Sequence, residues 1–133
     1  MSRVFADTFY FLALMNSKDP AHHRAVDAAL AICGELVTTA WVLTEFGDAM
    51  SDPLNREQFM TVLDDLRSDP QVKVIPANAT VFDAGIELFR SRKDKKWSLT
   101  DCISFVVMQQ EGITEALTGD KHFKQAGFVA LLK

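Results

Sequence analysis

The chain has 133 residues, 48% of them hydrophobic, which is enough for one well-buried core and too little for two ordinary domains. Its net charge of −4, with 18 acids against 14 lysines and arginines, argues against nucleic-acid binding through a broad basic face. No apolar run approaches the roughly 20 residues of a membrane span, and the first residues do not resemble an export signal. We therefore expect one compact cytoplasmic domain over residues 1–133, without a membrane segment.

Short apolar runs of β type alternate with helical stretches along the chain. Strands are predicted at residues 3–6, 36–38, 72–75, 115–118 and 128–132. Helices are predicted to begin near Thr8, Pro20, Thr39, Pro53, Ala79, Thr100 and Lys121. Gly34 is expected to end the second helix. Strands that alternate with helices predict a central parallel sheet of about five strands in a three-layer α/β/α sandwich.

The cysteines and adjacent histidines indicate neither a disulfide nor a zinc site. Cys33 and Cys102 both lie in apolar surroundings, without a CxxC spacing or paired histidines nearby. This pattern predicts two reduced thiols in the core. His22 and His23 are neighbours in the sequence and therefore point to different helix faces, which favours a surface role.

Four of the 18 acids stand where a carboxylate is costly. Asp7 and Asp120 follow predicted strands, at the carboxyl edge where open α/β sheets bind ligands. Glu45 comes early in the helix after the second strand, and its spacing from Val42 predicts that it shares the apolar side of that helix. Asp101 belongs to the first turn of another helix. All four acids therefore map to one edge of one sheet.

Carboxylates that converge on one crevice raise one another's pKa unless a cation offsets their charge. Oxygen ligands alone indicate a hard ion such as Mg²⁺, and one or two ions would fit. With such an ion, a bound water can attack a phosphodiester whose developing charge is neutralised. Taken singly, each acid also has a structural interpretation. Ser98 and Asp101 have the form of a capping box, Asp7 and Asp120 could cap the elements after them, and Glu45 could pair with Lys or Arg.

Four segments resemble PIN-domain ribonucleases of the VapC toxin type, over essentially the whole chain. They are "VFADTFYFLALMN", "VTTAWVLTEFGDAM", "DKKWSLTDCISFVVM" and "ALTGDKHFKQAGF". The resemblance implies that Asp7, Glu45, Asp101 and Asp120 form the acidic quartet that binds Mg²⁺ or Mn²⁺ and supports endonucleolytic cleavage of RNA. It also implies the strand order 3-2-1-4-5, a homodimer and a small antitoxin protein that neutralises the enzyme.

The resemblance also draws attention to neighbours of the quartet. Thr8, Ser98 and Thr118 fall where the family has hydroxyls near the metal or its ligands. The alternative is that Thr8 and Ser98 are helix caps and Thr118 is an ordinary strand residue. Asp94 either approaches the metal or pairs with a nearby basic residue. His122 stands where many relatives have an acid, a departure that we expect to alter substrate contacts or the response to pH.

Basic residues concentrate in "RSRKDKK", residues 90–96, which holds five of the 14 lysines and arginines. The candidate phosphate contacts are Arg92, Lys93, Lys95, Lys96 and Lys121. As an alternative, the run is a solvated loop or helix end. Trp97 is a candidate for stacking on an unpaired base, with packing against the core as the alternative.

Other functional classes fit the residues less well. A phosphatase of the haloacid-dehalogenase type needs a second Asp where Phe9 stands, and a receiver domain needs an early acidic pair, which the sequence lacks. A non-catalytic PIN-like scaffold that binds a partner protein would not need an intact quartet. A housekeeping or structure-selective nuclease with the same site stays open. The expectation is a Mg²⁺- or Mn²⁺-dependent endoribonuclease acting on RNA.

Overall fold

A five-stranded parallel sheet lies at the centre of the protein, whose computed structural model describes residues 3–133. The strands are β1 (Val4–Ala6), β2 (Leu36–Thr39), β3 (Val72–Ile75), β4 (Glu115–Leu117) and β5 (Val129–Ala130). The helices are α1 (Thr8–Met15), α2 (His22–Ala31), α3 (Ala40–Ala49), α4 (Pro53–Ser68), α5 (Ala79–Ser91), α6 (Leu99–Glu111) and α7 (Lys121–Gln125). The strand order is β3-β2-β1-β4-β5, and each neighbouring pair is parallel. The predicted architecture and strand order are confirmed.

The middle of the sheet is the most buried part of the fold. Every residue of β1 and β2 is buried, as expected for parallel strands with helices on both faces. The edge strands β3 and β5 are only partly covered. No helix in residues 3–133 is both long enough and apolar enough to cross a membrane. The fully buried central strand β1 leads directly into Asp7, so the core of the sheet positions the first acid of the site.

Two predicted boundaries of α2 are wrong. The helix begins at His22 and not at Pro20, because Asp19 closes a turn and its carbonyl accepts the His22 N–H at 2.9 Å. It ends at Ala31 and not at Gly34, because the chain is already extended at the next residue. The turn from Asp19 to His22 therefore contains Pro20, although proline is common in the first turn of a helix.

The prediction of two core thiols is half wrong. Cys102 is buried in α6, and burial raises the pKa of its thiol, with a further contribution from the charge of Asp101. Cys33 is exposed, because it lies in the connection that follows the end of α2. Both cysteines are free thiols.

Acids at the amino edge of the sheet are paired with basic side chains. Arg3 Nη2 lies 2.8 Å from Glu35 Oε1 and 2.7 Å from Glu111 Oε1, and Lys73 Nζ lies 3.0 Å from Glu111 Oε1. Hydrogen bonds from Arg3 and Lys73 lower the pKa of the Glu111 carboxyl. This edge therefore needs no added cation.

Gly85 allows α5 and α6 to approach closely. A Cβ at Gly85 would lie 2.4 Å from Ile103 Cγ1 and 3.3 Å from Ile103 Cα. We expect Gly85→Ala to destabilise the protein by about 1–3 kcal/mol, because the overpacking exceeds the gain of about 1 kcal/mol in helix propensity. In an Ile103→Ala background the same change should cost less, because Cγ1 is gone and only the 3.3 Å approach to Cα remains. Urea unfolding of the wild type, the two single variants and the double variant measures the coupling between residues 85 and 103. Equal effects of Gly85→Ala in both backgrounds would contradict this coupling.

Candidate metal centre

One hydroxyl connects the two acids that follow neighbouring strands. β1 and β4 are paired with Ala6 opposite Leu117, so Asp7 and Thr118 come next on the two chains. Thr118 Oγ1 donates to Asp7 Oδ2 at 2.9 Å and accepts the Asp120 N–H at 3.0 Å. The register of two central strands thus fixes the relative positions of Asp7 and Asp120, as predicted from their places at the strand ends.

Asp7 is a buried carboxyl with little to stabilise its charge. Only 6% of the residue is exposed. Burial raises its pKa from the ordinary 3.8 to about 7, against the Thr118 hydrogen bond, and the charges of Asp101 and Glu45 raise it further. The Asp7 side chain does not cap α1. The capping interpretation therefore does not account for Asp7.

Asp101 is held in place by the start of α6. Ser98 Oγ accepts the Asp101 N–H at 3.0 Å, and Asp101 Oδ2 accepts the Ser98 N–H at 3.1 Å. The predicted capping box is therefore present. It restricts the rotamer of a carboxylate that is 8% exposed and whose charge acts on Asp7. The cap and the metal-ligand interpretations are compatible, because the cap orients the ligand.

Asp120 and His122 complete a compact group with Asp101. Asp120 Oδ1 accepts the His122 N–H at 2.9 Å and so caps the short helix α7. This places His122 Nδ1 2.9 Å from Asp101 Oδ2 and 3.5 Å from Asp120 Oδ1. The three residues offer ligand atoms that all lie within 4.8 Å of one another, a spacing that can hold a metal ion. Asp7 and Glu45 are not members of this group.

Glu45 is placed differently from the prediction. It is exposed, whereas Val42, Leu43 and Phe46 form the buried stripe of α3. Its spacing of three from Val42 predicts the apolar side of α3. The buried stripe, however, extends from Val42 toward Leu43 and Phe46, so Glu45 lies beside the stripe and not in it. Its charge nevertheless contributes to the raised pKa of Asp7. Glu45 therefore adds to the negative field at this edge from the solvent side.

The carboxyl edge lacks the basic partners found at the amino edge. Within residues 3–133, none of the four acids forms an ion pair with Lys or Arg, so the predicted alternative of such a pair for Glu45 is not observed. Thr8 Oγ1, next to Asp7 in the chain, is buried without a hydrogen-bond partner among these residues. Oxygen donors, one imidazole and uncompensated charge fit a divalent cation with bound waters.

Most of the candidate RNA contacts surround this edge, but Trp97 is not available for stacking. Trp97 is 5% exposed, its Nε1–H donates to Gln125 Oε1 at 3.0 Å, and the Arg92 guanidinium covers its ring at 4.8 Å. The packing alternative for Trp97 is therefore the one that fits. Arg92 also pairs with Asp94 at 3.0 Å, which identifies Asp94 as its charge partner.

Lysines remain on the rim beside His122. A pocket of about 190 Å³ is lined by Asp94, Lys95, Lys96, Lys121, His122 and Gln125. Lys93, Lys96 and Lys121 are exposed and Lys95 is half-buried. A much larger groove, about 720 Å³, lies between α3 and α4 and is lined by none of the four acids. The small pocket therefore lies beside the acids through His122, whereas the larger groove lies apart from them.

His122 belongs to the acidic group, a role that its place in the sequence does not fully predict. One feature of the sequence does point to a part of this role. His122 stands two residues after Asp120 at the start of a short helix, and this spacing directs its side chain toward the acid that caps the helix. Only the packing of α7 against α6 shows that the ring also reaches Asp101.

Several characterised proteins are similar to this chain in sequence and in fold. The sequence is 26% identical over 126 residues to the 23S rRNA-specific endonuclease VapC20 of Mycobacterium tuberculosis, covering 95% of both chains. The crystal structure of M. tuberculosis VapC20, described as a Sarcin-Ricin loop cleaving toxin, matches with a TM-score of 0.86 at 25% identity, over 95% of this chain and 96% of that one. VapBC2 from Rickettsia felis, solved with a DNA fragment from their promoter, matches with a TM-score of 0.67 at 18% identity over 96% of each chain.

The family assignment covers almost the whole sheet and its helices. The sequence profile of the PIN domain matches residues 4–129, a range that contains β1 to β4, the first residue of β5 and the four acids. The chain therefore belongs to the PIN domain family.

Proposed function

We propose that this protein is a divalent-metal-dependent endoribonuclease of the VapC toxin type, formed by one PIN domain over residues 1–133. The observation that carries the proposal is the uncompensated set of carboxylates at the carboxyl edge, in which burial raises the pKa of Asp7 to about 7. A fold that maintains such a charge without a basic partner gains stability when a cation binds there. The similarity to an endonuclease over 95% of both chains supports the same activity.

The roles of the side chains follow from their contacts. Asp7, Asp101, Asp120 and Glu45 would hold Mg²⁺ or Mn²⁺, with Thr118 and Ser98 orienting Asp7 and Asp101. Thr8 Oγ1, which is buried without a partner among the described residues, would be available to a water bound next to Asp7. When bound, the ion supplies an acidified water and neutralises charge on the scissile phosphate.

Lysines near the acids would bind the RNA backbone. Because the net charge of the chain is −4, RNA must be attracted locally, and Lys95, Lys96 and Lys121 line the pocket next to the metal ligands. Lys93, one residue from this pocket's lining, is exposed and extends the basic rim. Arg92 is engaged by Asp94 and Trp97, so we assign it a structural role.

The partners follow from the related complexes. Among the structural neighbours are a toxin-antitoxin complex from Klebsiella pneumoniae and VapBC2 of R. felis, which supports a small antitoxin as partner. We propose that the enzyme acts in the cytoplasm as a homodimer. Because the M. tuberculosis relative acts on 23S rRNA, intact ribosomes belong among the substrates to test.

Metal dependence is the first test. Cleavage of purified RNA or of intact ribosomes should require Mg²⁺ or Mn²⁺ and should stop in excess EDTA, because the acids cannot approach a phosphate without a cation. Undiminished cleavage in EDTA would overturn the proposal. Readdition of the ion after EDTA should restore cleavage, which controls for irreversible damage to the protein.

Growth separates a toxin from a housekeeping nuclease with the same site. Expression of the wild-type protein should arrest growth, and Asp7→Asn should relieve the arrest at equal protein level. Equal toxicity of the inactive variant would indicate sequestration of a partner instead of RNA cleavage. A harmless but active enzyme would favour the housekeeping alternative.

The lysine rim predicts a salt-dependent effect on RNA binding. Lys96→Gln and Lys121→Gln should each raise KM several-fold, leave kcat nearly unchanged and reduce the slope of log KM against log salt by about 1. Lys18→Gln, on the connection between α1 and α2, is the matched control and should have no effect. Kinetics on a short single-stranded RNA at several salt concentrations make the comparison. Unaltered slopes in both rim variants would move the RNA path elsewhere.

A further inference from the structure

His122 differs from the other metal-ligand candidates because it offers nitrogen. Its ring is mostly buried, with 20% of the side chain exposed, and it faces both Asp101 and Asp120. We propose that His122 Nδ1 binds the same metal ion as Asp101 and Asp120, and that this nitrogen makes the site prefer Mn²⁺ over Mg²⁺. The inference rests on the proposed function, because it concerns the ion of the same site.

The distances suit neighbouring ligands of one octahedral ion. Two ligand atoms on adjacent corners, each about 2.1 Å from the metal, are about 3 Å apart. His122 Nδ1 is 2.9 Å from Asp101 Oδ2 and 3.5 Å from Asp120 Oδ1. Without an ion, the first distance is that of a hydrogen bond from Nδ1–H. With an ion, Nδ1 would present its lone pair, and the ring proton would reside on Nε2.

His122 is not needed to position Asp101. The capping box already fixes that carboxylate through Ser98, with reciprocal hydrogen bonds at 3.0 and 3.1 Å. The position of His122 is fixed through its backbone, because the His122 backbone N–H donates to Asp120 Oδ1 at 2.9 Å. A residue whose backbone is bonded to one acid and whose ring is directed at another is preorganised to place Nδ1 on an ion between them.

A nitrogen ligand changes which ion the site favours. Mg²⁺ is a hard ion that binds oxygen and gives up its waters reluctantly, whereas divalent first-row transition metals accept imidazole readily. Replacing His122 by Asp would convert the site to oxygen ligands only. We therefore expect His122→Asp to lower the ratio of Mn²⁺ to Mg²⁺ affinity by about tenfold or more, and not to abolish metal binding.

Pulsed electron paramagnetic resonance of Mn²⁺ tests the ligand directly. Untagged wild-type protein with Mn²⁺ should show coupling to a histidine nitrogen, and this signal should change when all histidines carry ¹⁵N. The coupling should disappear in His122→Asp and His122→Gln, and it should persist in His23→Asp, an equivalent change at an exposed position. Calorimetric titrations with Mn²⁺ and with Mg²⁺ measure the affinity ratio in the same proteins.

The outcomes distinguish this inference from the proposed function. If the wild type binds Mn²⁺ and cleaves RNA but shows no histidine coupling, His122 is only a hydrogen-bond donor to Asp101 and the inference is wrong. If the wild type binds neither ion, the proposed function itself fails. The ¹⁵N comparison needs only the wild-type protein, so an unstable variant does not prevent a decision.

Discussion

Asp7→Asn is expected to abolish RNA cleavage and, at the same time, to stabilise the metal-free protein. The folded-state pKa of Asp7 is about 7, against an ordinary value of 3.8, so the folded protein binds this proton more tightly than the unfolded chain does. The contribution of protonated Asp7 to the free energy of unfolding is therefore full below about pH 4, and it is lost as the pH rises through about 7. Asn keeps an acceptor for Thr118 and has no charge to bury.

The size of this effect makes it measurable. At about pH 8 in EDTA, Asp7→Asn should gain on the order of 2–4 kcal/mol over the wild type, or about 5–15 °C in Tm, and the gain should vanish near pH 4. Mn²⁺ should raise the Tm of the wild type more than that of the variant, which keeps Asp101, Asp120 and His122 but lacks one carboxylate ligand. Asp65→Asn, an exposed change of the same kind, is the control. A variant that is less stable than the wild type at every pH would contradict the uncompensated burial of Asp7.

The start of α6 allows its two roles to be separated by mutation. Asp101→Asn should reduce cleavage by at least about 10³-fold with little change in stability, because an amide oxygen still accepts the Ser98 N–H but binds a cation poorly. Ser98→Ala should instead lower the stability of the protein and leave cleavage nearly unchanged. It removes the acceptor for the Asp101 N–H and costs about 0.5–2 kcal/mol, while the carboxylate remains.

Asn78→Ala provides the matched control for the loss of a cap. Asn78 caps α5 through a 2.9 Å bond from Val81 N, and its side-chain amide donates to Pro76 O, so its hydrogen bonds do not involve the four acids. The Asn78→Ala variant should lose a similar amount of stability without loss of cleavage. Thermal unfolding measures the stability of all three variants, and initial rates measure their cleavage of RNA. If Ser98→Ala loses as much cleavage as Asp101→Asn at equal stability, the hydroxyl has a role in the reaction beyond orienting the helix start.

The sequence was most informative where topology alone determines position. Alternating strands and helices require a parallel sheet, and residues that follow neighbouring strands must meet at its carboxyl edge. Asp7 and Asp120 were located on this basis, and Ser98 and Asp101 by the spacing of a capping box. These inferences need only the backbone and its register.

The sequence was least informative where side-chain direction decides. Glu45 lies at the flank of the buried stripe of α3, and a spacing of three from one apolar residue cannot tell the flank from the centre. Trp97 was assigned two roles because its burial depends on Arg92, Phe105 and Gln125, which come from three different segments. The contact of His122 with Asp101 depends on where a five-residue helix docks, which no local pattern predicts.

The bond from Thr118 to Asp7 has a consequence for the order in which the site is made. It joins residues that are 111 positions apart in the sequence. A nascent chain emerging from the ribosome carries the first two acids long before it can pair β4 with β1 and bring Asp120 beside them. The nuclease centre therefore cannot assemble until β4 and the residues through Asp120 have left the ribosome, so a shorter nascent chain lacks the complete set of acids.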